Sequence, residues 1–422
     1  MAAGQGLIDM VDWRRIRGDF PALQRRINGR RVVYLDSACM SLKPRQVIDA
    51  MNEYYEMYPA CAGRSIHTFG EEASNAYHAS RSKFADFLNA NQPEECIWTR
   101  NATESLNIVA SSVNLPRGSK IITTSLEHHS GSLPFVERAK RDGLRLEVIN
   151  AQEDGTFDIE DWKRAIDHNT SLVSIVHSSN VTGTVAPVKE IAELAHDRGA
   201  LIMSDDAQYA PHHPLDVQAL DVDFSAISVH KMCGPTGMGV LYGKLEHLES
   251  MNMFLFGGDT VRDVRFENGN IVPEYLHPPE KFEAGLQNYA GAIGAGAAAD
   301  YLRSIGMHEI EKHERSLLES ALKRLLEMGH VHILGTDDIG LKTGLVTFTV
   351  DCVSSAHDVA TFLNDEFNIM VRSGWHCAGP FHYQMGIDPK MGTTRASFYL
   401  YNNISDVNAL LEGLATLIEA SS

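Results

Sequence analysis

The chain has 422 residues, of which 44% are hydrophobic and 22% charged, a size and composition that predict a globular protein of two domains. It contains 37 Lys and Arg residues and 55 Asp and Glu residues, which gives a formal net charge of -18. A surface of that charge repels polyanions, so general binding to nucleic acid is excluded as the main function.

The cysteines are scattered along the chain without a CxxC pair, at Cys39, Cys61, Cys96, Cys233, Cys352 and Cys377. This pattern disfavours a zinc knuckle or a disulfide framework and favours free thiols in a reducing compartment. The N-terminus lacks the uninterrupted apolar stretch of a signal peptide, and no run of about 18 apolar residues is present. We therefore expect a cytoplasmic protein without a membrane span.

Short apolar runs predict buried strands in the first two thirds of the chain. In chain order they are RVVYLD (31–36), ECIWTR (95–100), KIITTS (120–125), RLEVIN (145–150), SLVSIVH (171–177), ALIMSD (200–205) and DFSAISVH (223–230). Helical patterns lie between several of them, at 74–88, 104–113 and 188–198. Alternation of strands and helices predicts an α/β fold with a mostly parallel, doubly wound sheet.

The pattern changes near residue 291. A small-residue helix (GAIGAGAAADYLRSIG) and an amphipathic helix (EKHERSLLESALKRLLEMG) come first, and short strands and a final helix follow. This order predicts a smaller α+β domain. We predict a large domain over residues 31–295, and a small domain made of residues 1–30 and 296–422.

Polar residues follow the predicted strands, where open α/β sheets bind their ligands. In TRNATESLN (99–107) the free backbone N–H groups near Ala102 and Thr103 could hold a phosphate, or Asn101 or Thr103 could simply cap the helix. In LEHHSGS (126–132) the two histidines could bind metal, cover a flat ring or lie in an exposed loop. Metal is the weakest of these, because neighbouring strand residues point in opposite directions.

Two further strand ends carry a carboxylate and amides. Asp205, in SDDAQ, could pair with a protonated ring nitrogen or cap a helix. Gln208, one turn later, and Asn180, in HSSNVTGT (177–184), could reach a ring hydroxyl.

Lys231, in SVHKMCGPTGMG (228–239), directly follows a buried strand. A lysine in a desolvated cleft has a lowered pKa and can form a Schiff base. Ser228 and His230 beside it offer donors to a phosphate, and the glycines that follow allow close backbone approach.

A downstream segment, VRSGWHCAGP (371–380), contains Cys377 beside His376 and near Arg372. Neighbouring cations favour the thiolate, which is the nucleophilic form of cysteine, although an inert cysteine is the alternative. Arg395, in TTRASFYLY, could bind a substrate carboxylate through two parallel hydrogen bonds or form a surface salt bridge.

The order of these motifs resembles the class V, fold type I aminotransferase-like enzymes. It is most similar to their cysteine desulfurase and selenocysteine lyase branch, and RSGWHCA to the short-loop second subgroup. The resemblance runs from YLDSA and IHTFGEEAS through ATESLN, LEHHSGSLPF, SSNVTGT, DDAQ, SVHK, GPTGMGVLYGK and KFEAG to VRSGWHCA and RAS. It implies pyridoxal 5'-phosphate (PLP) as cofactor, a large domain with a mostly parallel seven-stranded sheet, and a homodimer with the active site at the subunit interface.

The resemblance also implies roles for the site residues. Lys231 would carry the cofactor, His128 would stack on its ring, and Asp205 would pair with the ring nitrogen. The remaining cofactor contacts are expected from Thr103, Ala102, Asn180, Gln208, Ser228 and His230. Substrate contacts are expected from Arg395, Arg372 and Asn180, and catalysis from Lys231, Cys377 and His128.

Several positions depart from the family pattern. ATE replaces a pair of threonines, so that Ala102 offers only its backbone to phosphate. Leu286 and Gln287 stand where Thr and Pro are usual, and the lost threonine is the one that reaches the phosphate across the dimer. Gln287 could substitute for it. Asp206 replaces a glycine beside Asp205. For the additional thiols Cys39, Cys61 and Cys233, we expect packing rather than sulfur relay.

By this resemblance the expected reaction converts L-cysteine to L-alanine and leaves a persulfide on Cys377. The sulfur would pass to an acceptor protein, with iron–sulfur cluster assembly as the expected destination. Selenocysteine lysis and another class V reaction, such as transamination, epimerisation or a kynureninase-like cleavage, are alternatives on the same cofactor. A cofactor-free scaffold is the alternative from a different class.

Overall fold

The computed structural model describes residues 11–421. Its α-helices are α1 Trp13–Gly18, α2 Arg45–Met57, α3 Thr68–Leu88, α4 Ala102–Ser112, α5 His129–Asp142, α6 Ile159–Ala165, α7 Val188–His196, α8 Val217–Leu220, α9 Leu245–Ser250, α10 Tyr289–Ile305, α11 Met307–Leu326, α12 Ala356–Phe367, α13 Gly379–Gln384 and α14 Ile404–Ser421.

The strands are β1 Arg26–Ile27, β2 Arg30–Arg31, β3 Val33–Tyr34, β4 Cys96–Thr99, β5 Lys120–Thr124, β6 Arg145–Ile149, β7 Thr170–Val176, β8 Leu201–Asp205, β9 Phe224–Ser228, β10 Gly239–Gly243, β11 Val261–Glu267, β12 Asn270–Tyr275, β13 Val331–Leu334, β14 Leu345–Val350, β15 Ile369–Met370, β16 Arg372–Gly374 and β17 Thr393–Ser397.

A seven-stranded sheet in the order β4-β10-β9-β8-β7-β5-β6 forms the centre of the large domain. Strands β5 to β9 are parallel to one another, and β10 is antiparallel to both β9 and β4. The central strands are buried on both faces, which explains why they read as continuous apolar runs in the sequence. The predicted mostly parallel seven-stranded sheet is therefore confirmed.

Helices cover the sheet through apolar stripes. In α7, for example, the buried residues are Val188, Ile191, Ala192 and Ala195, the spacing of one helix face. The helix α10 is the small-residue helix of the sequence, and its glycines let it lie close to α3: a Cβ on Gly296 would come within 2.8 Å of Ser80.

A second sheet, in the order β13-β14-β17-β16, is antiparallel and has its own apolar core with α11, α12 and α14. It follows the large sheet in the chain, as the α+β pattern predicted. The domain limits at residues 30 and 295 stay a prediction.

Two segments differ from the sequence-based expectation. The run 31–36 does not join the large sheet. Arg31 ends the short strand β2, which pairs with β1, and Val33–Tyr34 forms β3, which pairs in parallel with β15. Apolar content made this run resemble a core strand, but its partner lies more than 300 residues away, so periodicity could not identify it. The exposed hairpin β11–β12 was not expected, because its strands mix charged and apolar residues.

In a parallel sheet the carboxyl ends of the strands meet at one edge. The segments that leave β4, β5, β7, β8 and β9 therefore converge, and they carry the motifs described above. Within residues 11–421 we find no helix both long enough and apolar enough to cross a bilayer.

Candidate active site

One cavity of about 220 Å³ lies at this edge of the sheet. Every residue that the sequence predicted for the site borders it, namely Ala102, Thr103, His128, Asn180, Asp205, Gln208, Ser228, His230, Lys231, Arg372, Cys377 and Arg395. These residues come from five strand ends of the large sheet and from the second sheet. The fold thus brings together residues that lie up to 293 positions apart in the chain.

Lys231 and Asp205 face the cavity from neighbouring strand ends. Asp205 ends β8, and Lys231 ends the short 3-10 turn Val229–Lys231 that follows β9. Burial lowers the pKa of Lys231 to about 8; Asp205 opposes this shift and Arg395 adds to it. Burial raises the pKa of Asp205 to about 6, against the charge of Lys231 and the N–H of Ala207. Lys231 therefore has a sizeable fraction of neutral, nucleophilic amine near neutral pH.

The N-terminus of α4 supplies donors at one side of the cavity. Asn101 caps the helix by accepting a hydrogen bond from the N–H of Glu104 at 3.0 Å, so the capping alternative holds for Asn101. The N–H of Ala102 donates to the Ser228 hydroxyl at 3.1 Å, and the Thr103 and Ser130 hydroxyls are 2.7 Å apart. The three hydroxyls and the positive end of the α4 dipole together suit an anion such as phosphate.

The start of α4 can lie close to strand β10 because position 239 is glycine. A Cβ there would lie 2.5 Å from the Cα of Asn101. Ser130 was not predicted from the sequence. Its only signal was its place in LEHHSGS, two residues after His128.

His128 lines the cavity, and its imidazole ring is neutral. Burial lowers its pKa to about 3, and the charges of Lys231, His129 and Arg395 contribute to the same shift. Its Nδ1 accepts a hydrogen bond from the N–H of Ser130 at 3.1 Å, so the neutral ring carries its proton on Nε2. A neutral imidazole can stack on a flat ring and exchange one proton there.

Cys377 lies on a loop with unusual backbone angles. Both His376 (φ 50°) and Cys377 (φ 56°) adopt the left-handed conformation, which is costly for residues with a Cβ. The loop is held by its carbonyl groups, because Asn180 Nδ2 donates to the His376 oxygen at 2.6 Å and the His129 N–H donates to the Cys377 oxygen at 2.7 Å. The Cys377 side chain is exposed and borders the cavity.

Arg395 is buried on β17, in register with the exposed Arg372 of β16. Its guanidinium donates to the Asn180 carbonyl at 2.8 Å and to the Asp36 carboxylate at 3.4 Å. This excludes the surface salt bridge as the role of Arg395. Asp36 was not singled out by the sequence reasoning, although it lies in the YLDSA motif.

Four buried polar atoms on cavity-lining side chains have no hydrogen-bond partner in the described part of the chain. They are Asn180 Oδ1, Gln208 Oε1, His376 Nδ1 and Arg395 Nε. An unpaired buried polar atom costs roughly 1–3 kcal/mol. Several such atoms around one cavity indicate a site built to hydrogen-bond a polar ligand.

A family model described as aminotransferase class-V matches residues 33–410, most of the chain. The chain belongs to the class V aminotransferase family. The resemblance predicted from its motifs is therefore confirmed.

Relatives of this family member include cysteine desulfurases from distant organisms. The chain is 46% identical over 398 residues to a protein of Halalkalibacterium halodurans named "Probable cysteine desulfurase", covering 94% of this chain and 95% of that one. It is 40% identical over 422 residues to the cysteine desulfurase of Haloferax volcanii, covering 96% of both. Among solved structures, apo cysteine desulfurase from Thermococcus onnurineus superposes with a TM-score of 0.90 at 38% identity, covering 96% of this chain and 98% of that one.

Class V aminotransferases use PLP, and the cavity of this family member fits that cofactor. Lys231 offers an amine to an aldehyde, the α4 N-terminus offers donors to a phosphate, and Asp205 offers a carboxylate to a ring nitrogen. The unpaired amide oxygens of Asn180 and Gln208 are available to a ring hydroxyl.

Two of the departures from the family pattern, Gln287 and Asp206, are hydrogen-bonded within the chain. The Gln287 side-chain amide donates to the carbonyls of Glu283 and Gly285 at 2.7 and 2.9 Å, so within one chain it is engaged in its own loop. Asp206 is fully buried and is bound by His177 Nδ1 and by the hydroxyls of Ser204 and Ser225. Asp206 is therefore fully hydrogen-bonded within the sheet, although its charge contributes to raising the pKa of Asp205.

The three additional thiols have different surroundings. Cys233 is buried, as the packing expectation predicted. Cys61 is exposed, so packing was the wrong expectation there, because the apolar context ACAGRS lies in a surface loop. Cys39 is half-buried and borders the cavity.

Proposed function

We propose that this chain is a PLP-dependent cysteine desulfurase that converts L-cysteine to L-alanine and leaves a persulfide on Cys377. The observation that carries the proposal is the single cavity shared by a lysine with lowered pKa, a buried arginine and an accessible thiol, at Lys231, Arg395 and Cys377. The named cysteine desulfurases that are 40–46% identical over nearly the whole chain support it.

Cofactor binding is assigned to residues on three sides of the cavity. Lys231 would hold the aldehyde carbon, Asp205 the ring nitrogen and His128 the ring face. The phosphate contacts fall to Ala102, Thr103, Ser228 and His230, and the ring oxygen contacts to Asn180 and Gln208. When bound, PLP supplies an electron-withdrawing ring that stabilises negative charge at the substrate Cα.

Arg395 binds and orients the substrate. Its guanidinium is buried and already held by Asp36 and Asn180, so the remaining donors point in fixed directions. A carboxylate bound by such a fork is fixed in orientation as well as in position. Arg372, on the neighbouring strand, adds positive charge at the mouth of the cavity.

Lys231 moves the proton at the substrate Cα. An amine with a pKa of about 8 is partly neutral at physiological pH and can accept a proton from carbon and return it. His128, neutral and protonated on Nε2, exchanges a proton with the substrate thiol.

Cys377 takes the sulfur. Its thiolate attacks the substrate sulfur, an S–S bond forms at Cys377 Sγ, and the substrate Cβ–S bond breaks. The electron pair of that bond returns to the substrate carbon skeleton, which is protonated and leaves as alanine. The reaction therefore consumes one cysteine and needs no external oxidant.

Mass spectrometry after incubation with L-cysteine tests the proposal. We expect one added sulfur atom on the peptide that contains Cys377, and loss of alanine formation from cysteine in C377A. The matched control is C352A, since Cys352 is half-buried beside the second core and outside the cavity. Full activity of C377A on cysteine would contradict the persulfide step. Activity of C377A on selenocysteine alone would replace the proposal with selenocysteine lysis.

The homodimer is part of the same proposal. The hairpin β11–β12 exposes Val264, Phe266 and Ile271 by 51%, 78% and 74%, and Leu286 is 72% exposed. Apolar side chains exposed together mark interaction surfaces. Light scattering coupled to size exclusion should give twice the chain mass, and F266E should shift the protein toward the monomer.

Delivery of sulfur to an acceptor protein for iron–sulfur cluster assembly, in the cytoplasm, is proposed by analogy with the family. Incubation of the persulfidated protein with candidate acceptors and apo iron–sulfur proteins tests this destination. Transfer of labelled sulfur to none of them would contradict it.

A further inference from the structure

A second thiol borders the active-site cavity. Cys39 lies in the turn that follows β3, where its N–H donates to the Asp36 carbonyl at 3.0 Å. It is half-buried and lines the same cavity as Cys377 and Lys231. No step described so far uses this thiol.

The loops that carry Cys39 and Cys377 are joined through Arg395. The guanidinium donates to Asp36, three residues before Cys39, and to the carbonyl of Asn180. The Asn180 side chain in turn donates to the carbonyl of His376, the residue before Cys377. Arg395 and Asn180 thus link the loop of Cys39 to the loop of Cys377 through hydrogen bonds.

A second contact fixes the Cys39 loop against the cofactor side of the cavity. The Gln208 side-chain amide donates to the carbonyl of Ala38 at 2.7 Å, and the N–H of Ala38 donates to the Ser397 hydroxyl at 3.0 Å. The residue before Cys39 is therefore held from both sides, so the backbone that carries the thiol is fixed.

Two cationic side chains of the cavity lie near Cys39. Arg395 and Lys231 both interact with its thiol, and Lys231 also interacts with that of Cys377. By contrast, burial raises the pKa of Cys233 and of Cys96 to about 12, and neither borders the cavity.

We propose that Cys39 is a second sulfur-carrying thiol, which accepts the terminal sulfur from the persulfide of Cys377. This inference rests on the proposed function, because that reaction supplies the persulfide. The Cys39 thiolate attacks the terminal sulfur, a new S–S bond forms at Cys39 Sγ, and the bond between that sulfur and Cys377 Sγ breaks. Cys377 leaves as a thiolate, and the proton on the transferred sulfur stays with it, so no electrons or protons are gained or lost.

The exchange would return Cys377 to its reactive form before an acceptor arrives. A protomer could then process a second cysteine while the first sulfur is kept on a half-buried residue. Since Cys377 is exposed and Cys39 is not, the stored sulfur is also better shielded from external thiols.

The experiment is a sulfur count by peptide after the holoenzyme is incubated with L-cysteine and no acceptor. We expect an added sulfur on the peptides of both Cys39 and Cys377 in the wild type, on that of Cys377 alone in C39A and C39S, and on neither in C377A. The alanine formed per protomer in the burst should fall about twofold in C39A, because one of two sulfur positions is lost. Cys61, exposed and outside the cavity, should stay unmodified.

The outcomes that overturn the inference are distinct. Sulfur on Cys377 with none on Cys39 in the wild type, or a disulfide between the two, would refute the transfer. Sulfur on Cys39 in C377A would show direct attack on the substrate instead. Equal labelling of Cys61 would show unspecific exchange. Absence of sulfur from Cys377 itself would refute the proposed function, and the relay with it.

Discussion

Two buried charged clusters in this molecule are built in opposite ways. In the first, Arg81 donates to both carboxylate oxygens of Glu283 at 2.7 and 2.8 Å and to the Cys96 carbonyl. The Tyr77 hydroxyl and the backbone N–H of Trp98 donate to the same carboxylate at 2.8 and 2.7 Å. In the second, around Lys231 and Arg395, buried polar atoms are left without partners.

The difference separates a structural role from a chemical one. The Arg81 cluster joins α3, β4 and the segment before α10, and each carboxylate oxygen of Glu283 already accepts two hydrogen bonds. An unsaturated cluster costs stability until a ligand supplies the missing contacts. Shifted pKa values occur in both clusters, so a shift alone does not mark an active site.

We expect the largest effect on activity from replacing Lys231, compared with replacing Lys342, a lysine with a similar pKa. Burial lowers the pKa of both Lys231 and Lys342 to about 8, but Lys342 lies outside the cavity and donates to the Thr182 carbonyl. K231A should lose the absorption of bound PLP and at least 10²–10⁴-fold in alanine formation, the usual contribution of proton transfer. K342A should keep the absorption. If K342A lost the absorption and K231A kept it, Lys342 and not Lys231 would be the residue that holds the cofactor.

Breaking the saturated cluster should affect stability instead of chemistry. E283Q leaves the buried Arg81 without its charge partner, and we expect a loss of about 3–5 kcal/mol in unfolding free energy. Denaturant unfolding at matched cofactor saturation measures it. E137Q, in the exposed pair with Lys140, is the control and should change little. A stable E283Q protein with altered substrate kinetics would assign this cluster to the active site.

The buried arginine of the cavity should affect substrate binding. R395K keeps the charge but loses the planar fork, and a charge-assisted hydrogen bond of about 1.5–3 kcal/mol corresponds to roughly a 10–100-fold fall in kcat/KM for cysteine. R372K, at the exposed neighbouring position, should have a smaller effect. Steady-state alanine formation measures both. Equal kinetics of R395K and wild type would exclude Arg395 from the substrate site.

The smallest effect is a pH dependence. The rate at which cofactor-free protein captures PLP should rise about tenfold per pH unit below pH 8 and level off above it, because only the neutral amine of Lys231 reacts. Asp205 stabilises the ammonium form, so D205N should move the break to lower pH. Stopped-flow absorbance gives both profiles. A break that stays in place in D205N would show that Asp205 does not act on Lys231.

Much of the large sheet could be predicted from the sequence, because its central strands are buried on both faces and stand out as apolar runs. The segment 31–36 was misjudged because its partner strand β15 is distant in the chain. The hairpin β11–β12 was missed because exposed apolar side chains between charged ones resemble a loop.

The location of the cavity could be predicted where one motif supplies one lining residue, as for Lys231, Asp205 and Cys377. Contacts between motifs could not be predicted. Asp36 accepts a hydrogen bond from Arg395, and the His129 N–H donates to the carbonyl of Cys377. Neither residue type is unusual in its own segment, so only the folded chain reveals them.

The left-handed backbone at His376 and Cys377 affects how the Cys377 sulfur can move between the cavity and the solvent. Both carbonyls are tethered, so the main chain stays in place while the sulfur can turn about a single side-chain torsion. If the proposed persulfide forms on Cys377, rotation about that torsion would turn its outer sulfur toward the cavity or toward solvent without a change in the main chain. Formation and removal of the persulfide could then occur at one fixed backbone position.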